Sequence, residues 1–225
     1  MVEDLLWLGI DWDEGFDRGG PFAPYSQSER REHYLAAWRK LRDQAAIYPC
    51  SCSRKDLAIV AAAPNDVDDE PIYPGTCRNR NDGPSFESPA GVNWRFRVPD
   101  GEAIRFNDLH LGPQTYAAGR DFGDFVVFRR DDVPEYQLAV VVDDAAMQIT
   151  EIVRGLDLLK STARQMLLAR ALQVSSPSYY HCGLVRDKSG ARLAKRHDSL
   201  SIRALRRQGW TPQQVLDFAT QGLSS

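Results

Sequence analysis

Residues 153–165 read Val-Arg-Gly-Leu-Asp-Leu-Leu-Lys-Ser-Thr-Ala-Arg-Gln. The stretch just before, residues 148–153, has the composition of a strand, and Ser161 to Leu172 has the apolar spacing of a helix. Arg154 stands where that strand ends, beside Gly155, and α/β folds place ligand-binding groups at such ends. Working outward, Trp94-Arg95-Phe96-Arg97-Val98 and Ala103-Ile104-Arg105-Phe106 alternate like half-buried strands, and a further strand is expected over 125–129. Residues 136–142 (Tyr-Gln-Leu-Ala-Val-Val-Val) are nearly all apolar, which suits a strand or a helix buried on both faces. Strands alternating with helices predict an α/β layer fold. No internal repeat is present.

Toward the N-terminus, residues 3–9 have the pattern of the last turns of an amphipathic helix closed by Gly9. Ser26 to Ala46 predicts a long helix with Ser28 as N-cap and Tyr34, Ala37, Trp38 and Leu41 on one face. Residues 47–93 change character. Turn residues are dense, the apolar pattern is weak, and an acidic run spans Asp66 to Glu70. This predicts an insertion with little core of its own, which needs a staple. Near the C-terminus, helices are expected over Ser199–Arg207 and Thr211–Gln221, capped by Ser199 and Thr211.

The 225 residues suffice for a substantial core, and a hydrophobic fraction of 43% with 26% charged residues fits a soluble globular chain. No apolar run approaches membrane-spanning length. The acidic start (Glu3, Asp4, Asp11, Asp13, Glu14) is unlike a secretory signal, so a cytoplasmic monomer with no membrane partner is expected. The net charge of -3 argues against sequence-independent adhesion to nucleic acid. RNA contact would need local basic patches, and Arg203, Arg206 and Arg207 form one candidate, equally readable as a solvated helix face.

Four cysteines do not make a disulfide framework. Three of them, in Cys50-Ser51-Cys52 and Tyr73-Pro74-Gly75-Thr76-Cys77, fall in the insertion that needs a staple. On spacing alone, a zinc site and ordinary buried thiols fit equally well. Cys182 reads as a packed thiol. Arg154 has two readings as well. It is a fixed cation for a carboxylate ligand, or it is an arginine paired with Asp157 or Asp144.

Three segments together resemble glutamyl-type class I aminoacyl-tRNA synthetases. They are Tyr136-Gln-Leu-Ala-Val-Val-Val-Asp-Asp144, the Val153-Arg154-Gly155 junction, and the loop Arg192-Leu193-Ala194-Lys195-Arg196. The resemblance implies a Rossmann-like catalytic core, incomplete at its N-terminus, with a zinc-bearing insertion and short C-terminal helices. The implied units are the remainder of the first half of the core (1–48), the insertion with strands (49–120), the second half (121–200) and the terminal helices (201–225). It implies that Tyr136 and Arg154 contact glutamate and that Lys195 is both catalytic and ATP-binding, in a KMSKS-like loop. A mobile lysine there meets the leaving phosphates as their charge builds. Arg192 stands where the family has lysine, Ala194 where it has serine, and Glu151 where relatives commonly have histidine.

The C-x-C…Y-x-x-x-C pattern is similar to that of the small glutamyl-queuosine branch, in which it implies one structural zinc held by Cys50, Cys52, Tyr73 and Cys77. Only about 25 residues follow Leu200, too few for an anticodon-binding domain, which favours the same branch. The implied reaction activates glutamate with ATP, and with Mg as its counterion, without tRNA. The glutamyl group then passes to queuosine in the anticodon of tRNA(Asp). A truncated glutamate–tRNA ligase acting on the tRNA 3′ end, and a non-catalytic zinc module that binds tRNA, are the alternatives. The family's first signature, a HIGH-type loop at a helix N-terminus, does not occur in these 225 residues. A misassigned start or a fragment is the expected reason, and lost catalysis is the third explanation. The chain by itself is expected to be silent in glutamate-dependent ATP–pyrophosphate exchange.

Overall fold

A computed structural model describes residues 2–53, 72–79, 86–184 and 201–223. The expected signature loop at 192–196 and the proposed cap Ser199 lie outside the described residues.

The chain opens with helix α1 (Val2–Trp7). The N–H of Gly9 bonds Leu6 and that of Ile10 bonds Leu5, with Gly9 at φ +79°. This is the Schellman closure that a glycine at this position allows. Helix α2 (Arg31–Asp43) buries Tyr34, Leu35, Ala37, Trp38 and Leu41, the expected face. It starts later than expected, because a 3-10 turn occupies Gln27–Glu29. Ser28 Oγ bonds Ser26 Oγ instead of a helix N–H, so Ser28 is not the cap.

Two sheets follow. The smaller has the order β1-β2-β5, from Ile47–Cys50, Asn93–Phe96 and Val126–Phe128, all antiparallel. Residues 47–50 are thus a strand, where turn density had masked it. The larger has the order β4-β3-β7-β6, from Gly112–Ala117, Ala103–Asp108, Ser178–Cys182 and Glu151–Gly155. Within it, β3 runs parallel to β7, and β6 parallel to β7 with Arg154 opposite His181. β4 was not expected from sequence. It carries Gly112 and Pro113, and it is an edge strand, where proline is tolerated.

Residues 136–146 settle as helix α3 (Tyr136–Ala146), with Leu138, Ala139 and Val141 buried. The helix after β6 is α4 (Leu159–Leu172), as expected, and with β7 the two form a parallel unit around Arg154. The main core lies among α2, α3, α4 and the first sheet. Trp38 meets Trp94 edge to face at 5.1 Å, with Phe128, Leu138, Leu167 and Leu168 fully buried around it. A buried ion pair pins α2 to α3. Arg30 Nε donates to Asp143 at 2.7 Å, and Gln27 and Tyr34 donate to the same carboxylate.

The C-terminal helices are α5 (Ile202–Arg207) and α6 (Pro212–Leu223). Ser201 caps α5 by accepting from Ala204 N–H, two residues after the expected Ser199. Thr211 caps α6 as expected: its Oγ1 accepts from Gln214 N–H, and Gln214 Oε1 accepts from Thr211 N–H. Arg206 pairs with Asp4 and lies over the Trp7 ring, so it serves the fold and not an open basic face. Among the described residues, no helix is long and apolar enough to cross a membrane.

Candidate active site and metal centre

Strand β1 delivers Cys50 and, just beyond it, Cys52, while the segment 72–79 brings Tyr73 and Cys77 against them. Cys50 and Cys77 are buried, and the three sulfurs lie within 4.8 Å of one another. Cys52 and Cys77 are 3.6 Å apart, and the Tyr73 hydroxyl is 3.4 Å from Cys50 and 3.5 Å from Cys52. A tetrahedral zinc with ordinary bond lengths would set sulfur–sulfur separations of roughly 3.8 Å and sulfur–oxygen separations of roughly 3.5 Å. The donors present therefore fit the ion. Burial raises the Cys77 thiol, but hydrogen bonds from Tyr73 and the Ser51 backbone outweigh it and bring Cys77 down to about 6. Burial pushes Cys52 and, strongly, Tyr73 upward. A metal would reverse that direction at Tyr73 by stabilising the phenolate.

Arg154 leaves the end of β6 and turns toward α4. Its Nη1 donates to Gln165 Oε1 at 2.8 Å, its Nη2 to Thr162 Oγ1 at 2.6 Å and weakly to the Leu158 carbonyl, and its Nε to His181 Nε2 at 3.1 Å. All four acceptors are neutral in this arrangement, so neither Asp157 nor Asp144 is the hydrogen-bond partner of the guanidinium. Since arginine only donates, His181 Nε2 accepts, and the ring proton sits on Nδ1. That proton goes to Asp108 Oδ2 at 2.6 Å, and His181 is fully buried. Burial would raise Asp108, but His181 and the backbone N–H groups of Leu111, His110 and His181 hold it at about 2. The result is a fixed carboxylate–imidazole–guanidinium chain, with Gly155 next to it at a point of close approach. A Cβ on Gly155 would meet Asp157 Oδ1 at 2.5 Å.

Tyr136 opens α3 and is 44% exposed, in the wall of a cavity of about 780 Å³. The same cavity is lined by Cys52, Arg95, Gln137 and Arg164, so it runs from the cysteine cluster to the start of α3. Arg154 lies outside its lining and is reached through a hydrogen-bonded chain, Arg154 to Gln165 to Gln137 to Ser161. Both Arg154 and Tyr136 act on Tyr179, whose phenol is pushed up to about 12, chiefly by burial. Arg154 also stacks over that ring at 5.0 Å. Asp144 is lifted to about 6 by burial and by the charge of Asp143, against the pull of Arg154.

The structure thus gathers Cys50, Cys52, Tyr73 and Cys77 in one cluster, while Tyr136 stands in the cavity wall and Arg154, outside that lining, lies over the Tyr179 ring. Lys195 and its loop companions Arg192, Leu193, Ala194 and Arg196 fall outside the described residues. Sequence reading missed Asp108, His181, Thr162 and Gln165, which hold Arg154. Their only sequence signals were an acidic residue ending a strand pattern and a histidine beside Cys182. Cys182 itself is half-buried.

A family model described as "tRNA synthetases class I (E and Q), catalytic domain" matches residues 1–223. A protein of Symbiobacterium thermophilum named "Glutamyl-Q tRNA(Asp) synthetase" is 48% identical over 219 residues, 96% of this chain and 67% of that protein. One of the same name from Nitratidesulfovibrio vulgaris is 48% identical over 93% of this chain and 65% of that protein. "Glutamate--tRNA ligase 1" of Halorhodospira halophila is 40% identical, covering 97% and 46% respectively. The crystal structure of a glutamate–tRNA synthetase from Elizabethkingia anophelis superposes with a TM-score of 0.73 at 28% identity, over 92% of this chain and 43% of that one. The chain therefore spans about two thirds of the glutamyl-Q relatives and under half of the glutamate–tRNA ligases. With its Rossmann-like mixed α/β fold, this chain belongs to the class I tRNA synthetase family for glutamate and glutamine, in its catalytic domain.

Proposed function

We propose that this chain is the glutamate-activating core of a glutamyl-Q tRNA(Asp) synthetase. The carrying observation is Arg154: its guanidinium is oriented from three sides by neutral acceptors, which leaves its charge for an incoming anion. One N–H of Nη1 is left over by these contacts, and it offers a carboxylate a charge-assisted hydrogen bond. In this reading Arg154 takes the side-chain carboxylate of glutamate, and the exposed phenol of Tyr136 contacts the amino acid from the opening of α3. An oxygen of the α-carboxylate attacks the α-phosphate of ATP, an acyl–phosphate bond forms, and pyrophosphate leaves with its Mg. Lys195, in the loop Arg192–Arg196, meets the charge that grows on the leaving phosphates. The glutamyl group then moves to queuosine in the anticodon of tRNA(Asp), and the protein acts as a cytoplasmic monomer.

One zinc is assigned to Cys50, Cys52, Tyr73 and Cys77, where separations match a tetrahedral donor set. When bound it supplies a closed cross-link between β1 and the segment 72–79. Queuosine as acceptor is favoured over the tRNA 3′ end by the resemblance of the cysteine pattern to the glutamyl-queuosine branch and by the 48% identity to relatives named for it, against 40% to the glutamate–tRNA ligase of Halorhodospira halophila. The activation step is tested by replacing the matched 219 residues of the Symbiobacterium thermophilum relative with this chain and measuring ATP–pyrophosphate exchange without tRNA. Exchange with glutamate and none with glutamine is expected. A folded chimera that shows no exchange with glutamate would overturn the reading.

A further inference from the structure

Arg95 is a buried arginine, 6% exposed, on β2. It faces Tyr48 in register, so Cys50, two residues on, is its diagonal neighbour on the same face of the sheet. Its Nε donates to Cys50 Sγ at 3.3 Å, its Nη1 donates to the Asp124 backbone carbonyl at 3.0 Å, and its guanidinium lies over the Tyr73 ring at 3.9 Å. The Asp124 carboxylate is already taken by Arg78 and Tyr48. A buried cation is tolerated only where an anion offsets it. The groups that Arg95 touches are two of the four metal donors, one through its sulfur and one through its π face. Zinc with three thiolates and a phenol carries a net negative charge, and one more if the phenol ionises.

We infer that Arg95 is the counter-cation of the cysteine–tyrosine zinc cluster, and that it sets the affinity of the site for zinc. Resting on the zinc assignment above, the inference adds a residue that is not itself a ligand. The guanidinium neutralises the thiolate of Cys50 and the electron-rich face of Tyr73 together. Because Arg95 also lines the 780 Å³ cavity that reaches Tyr136, it joins the metal centre to the wall of the proposed substrate cavity.

The test is competition for zinc between the 225-residue chain and a chromogenic chelator, for wild type, Arg95→Lys and Arg95→Met. Outer partners of metal ligands typically govern affinity by about 10- to 100-fold. Arg95→Met is expected to weaken zinc binding by that factor, and Arg95→Lys by less, since it keeps charge without the planar fork. Thermal unfolding of the metal-free proteins is recorded in parallel. A purely architectural role would lower the apo midpoint and leave zinc affinity unchanged, and that result overturns the inference. If Arg95→Met does not fold, Arg95→Gln, which keeps polarity and hydrogen-bond donors but no charge, decides: wild-type affinity in that variant overturns the inference. A wild-type chain that takes up no zinc removes the zinc assignment itself, a failure visible before any variant is compared.

Discussion

At the scale of single residues, the arrangement around Arg154 makes the sharpest demands. Lysine at this position keeps a charge but loses the bonds to His181, Gln165 and Thr162 that fix its direction. Arg154→Lys is expected to raise the KM for glutamate by about 10- to 100-fold, the cost of losing charge-assisted hydrogen bonds. Exchange kinetics on the chimera check this. In the proposed reading, in which Lys195 acts on the transition state, Lys195→Ala is expected to lower kcat by about 100-fold with little change in glutamate KM. An unchanged kcat would show the loop is misplaced. Asp144 gives a prediction about pH. Its carboxyl titrates at about 6 in the folded chain, chiefly through burial, above its ordinary range. The folded state therefore binds the extra proton between roughly pH 4 and 6, and stability falls as pH rises through that window. Asp144→Asn is expected to raise the unfolding midpoint at pH 7 by a few degrees and to flatten the dependence between pH 4 and 6. A midpoint lowered at pH 7 would mean that the charged form is the stabilising one.

At the scale of elements, the segments with a clear period were legible and those held by distant partners were not. Helices α2 and α4 and strand β6 follow from apolar spacing, and the close of α1 from Gly9. Residues 136–142 left strand and helix open, because an all-apolar run has no period to read. Packing against α2 and α4 settles them as helix. β4 carries Gly112 and Pro113, two residues rare in strand interiors, and only its pairing with β3 makes it a strand. Ser28 lost its cap role because a 3-10 turn took up the residues before Arg31. The contrast recurs in the site. The proposed metal donors are close enough in sequence to be noticed as a pattern, whereas Asp108 and His181 stand 73 residues apart and each looks ordinary by itself. The Thr211–Gln214 capping box is a cheap check on the C-terminal helix. Thr211→Ala is expected to lower stability by about 0.5–2 kcal/mol in denaturant unfolding.

For the whole molecule, the cysteine–tyrosine cluster and the proposed glutamate pocket play different parts. The insertion has a small cluster of its own, Tyr48, Cys50, Tyr73 and Cys77, separate from the main core. A metal there is worth folding free energy. Cys50→Ser is expected to lower zinc content and the unfolding midpoint together, measured by metal analysis and calorimetry on the same sample. The catalytic reading depends instead on Arg154, Tyr136 and the loop carrying Lys195, combined with a first signature that these 225 residues do not contain. The most direct test of that reading follows radiolabelled glutamate to its acceptor. The chimera with the Symbiobacterium thermophilum relative is incubated with glutamate, ATP and either queuosine-bearing tRNA(Asp) or tRNA(Glu), and the tRNA is digested to nucleosides. The account predicts label on queuosine from the anticodon of tRNA(Asp). Label on the 3′-terminal ribose of tRNA(Glu), or none on either tRNA from a folded chimera, would contradict it.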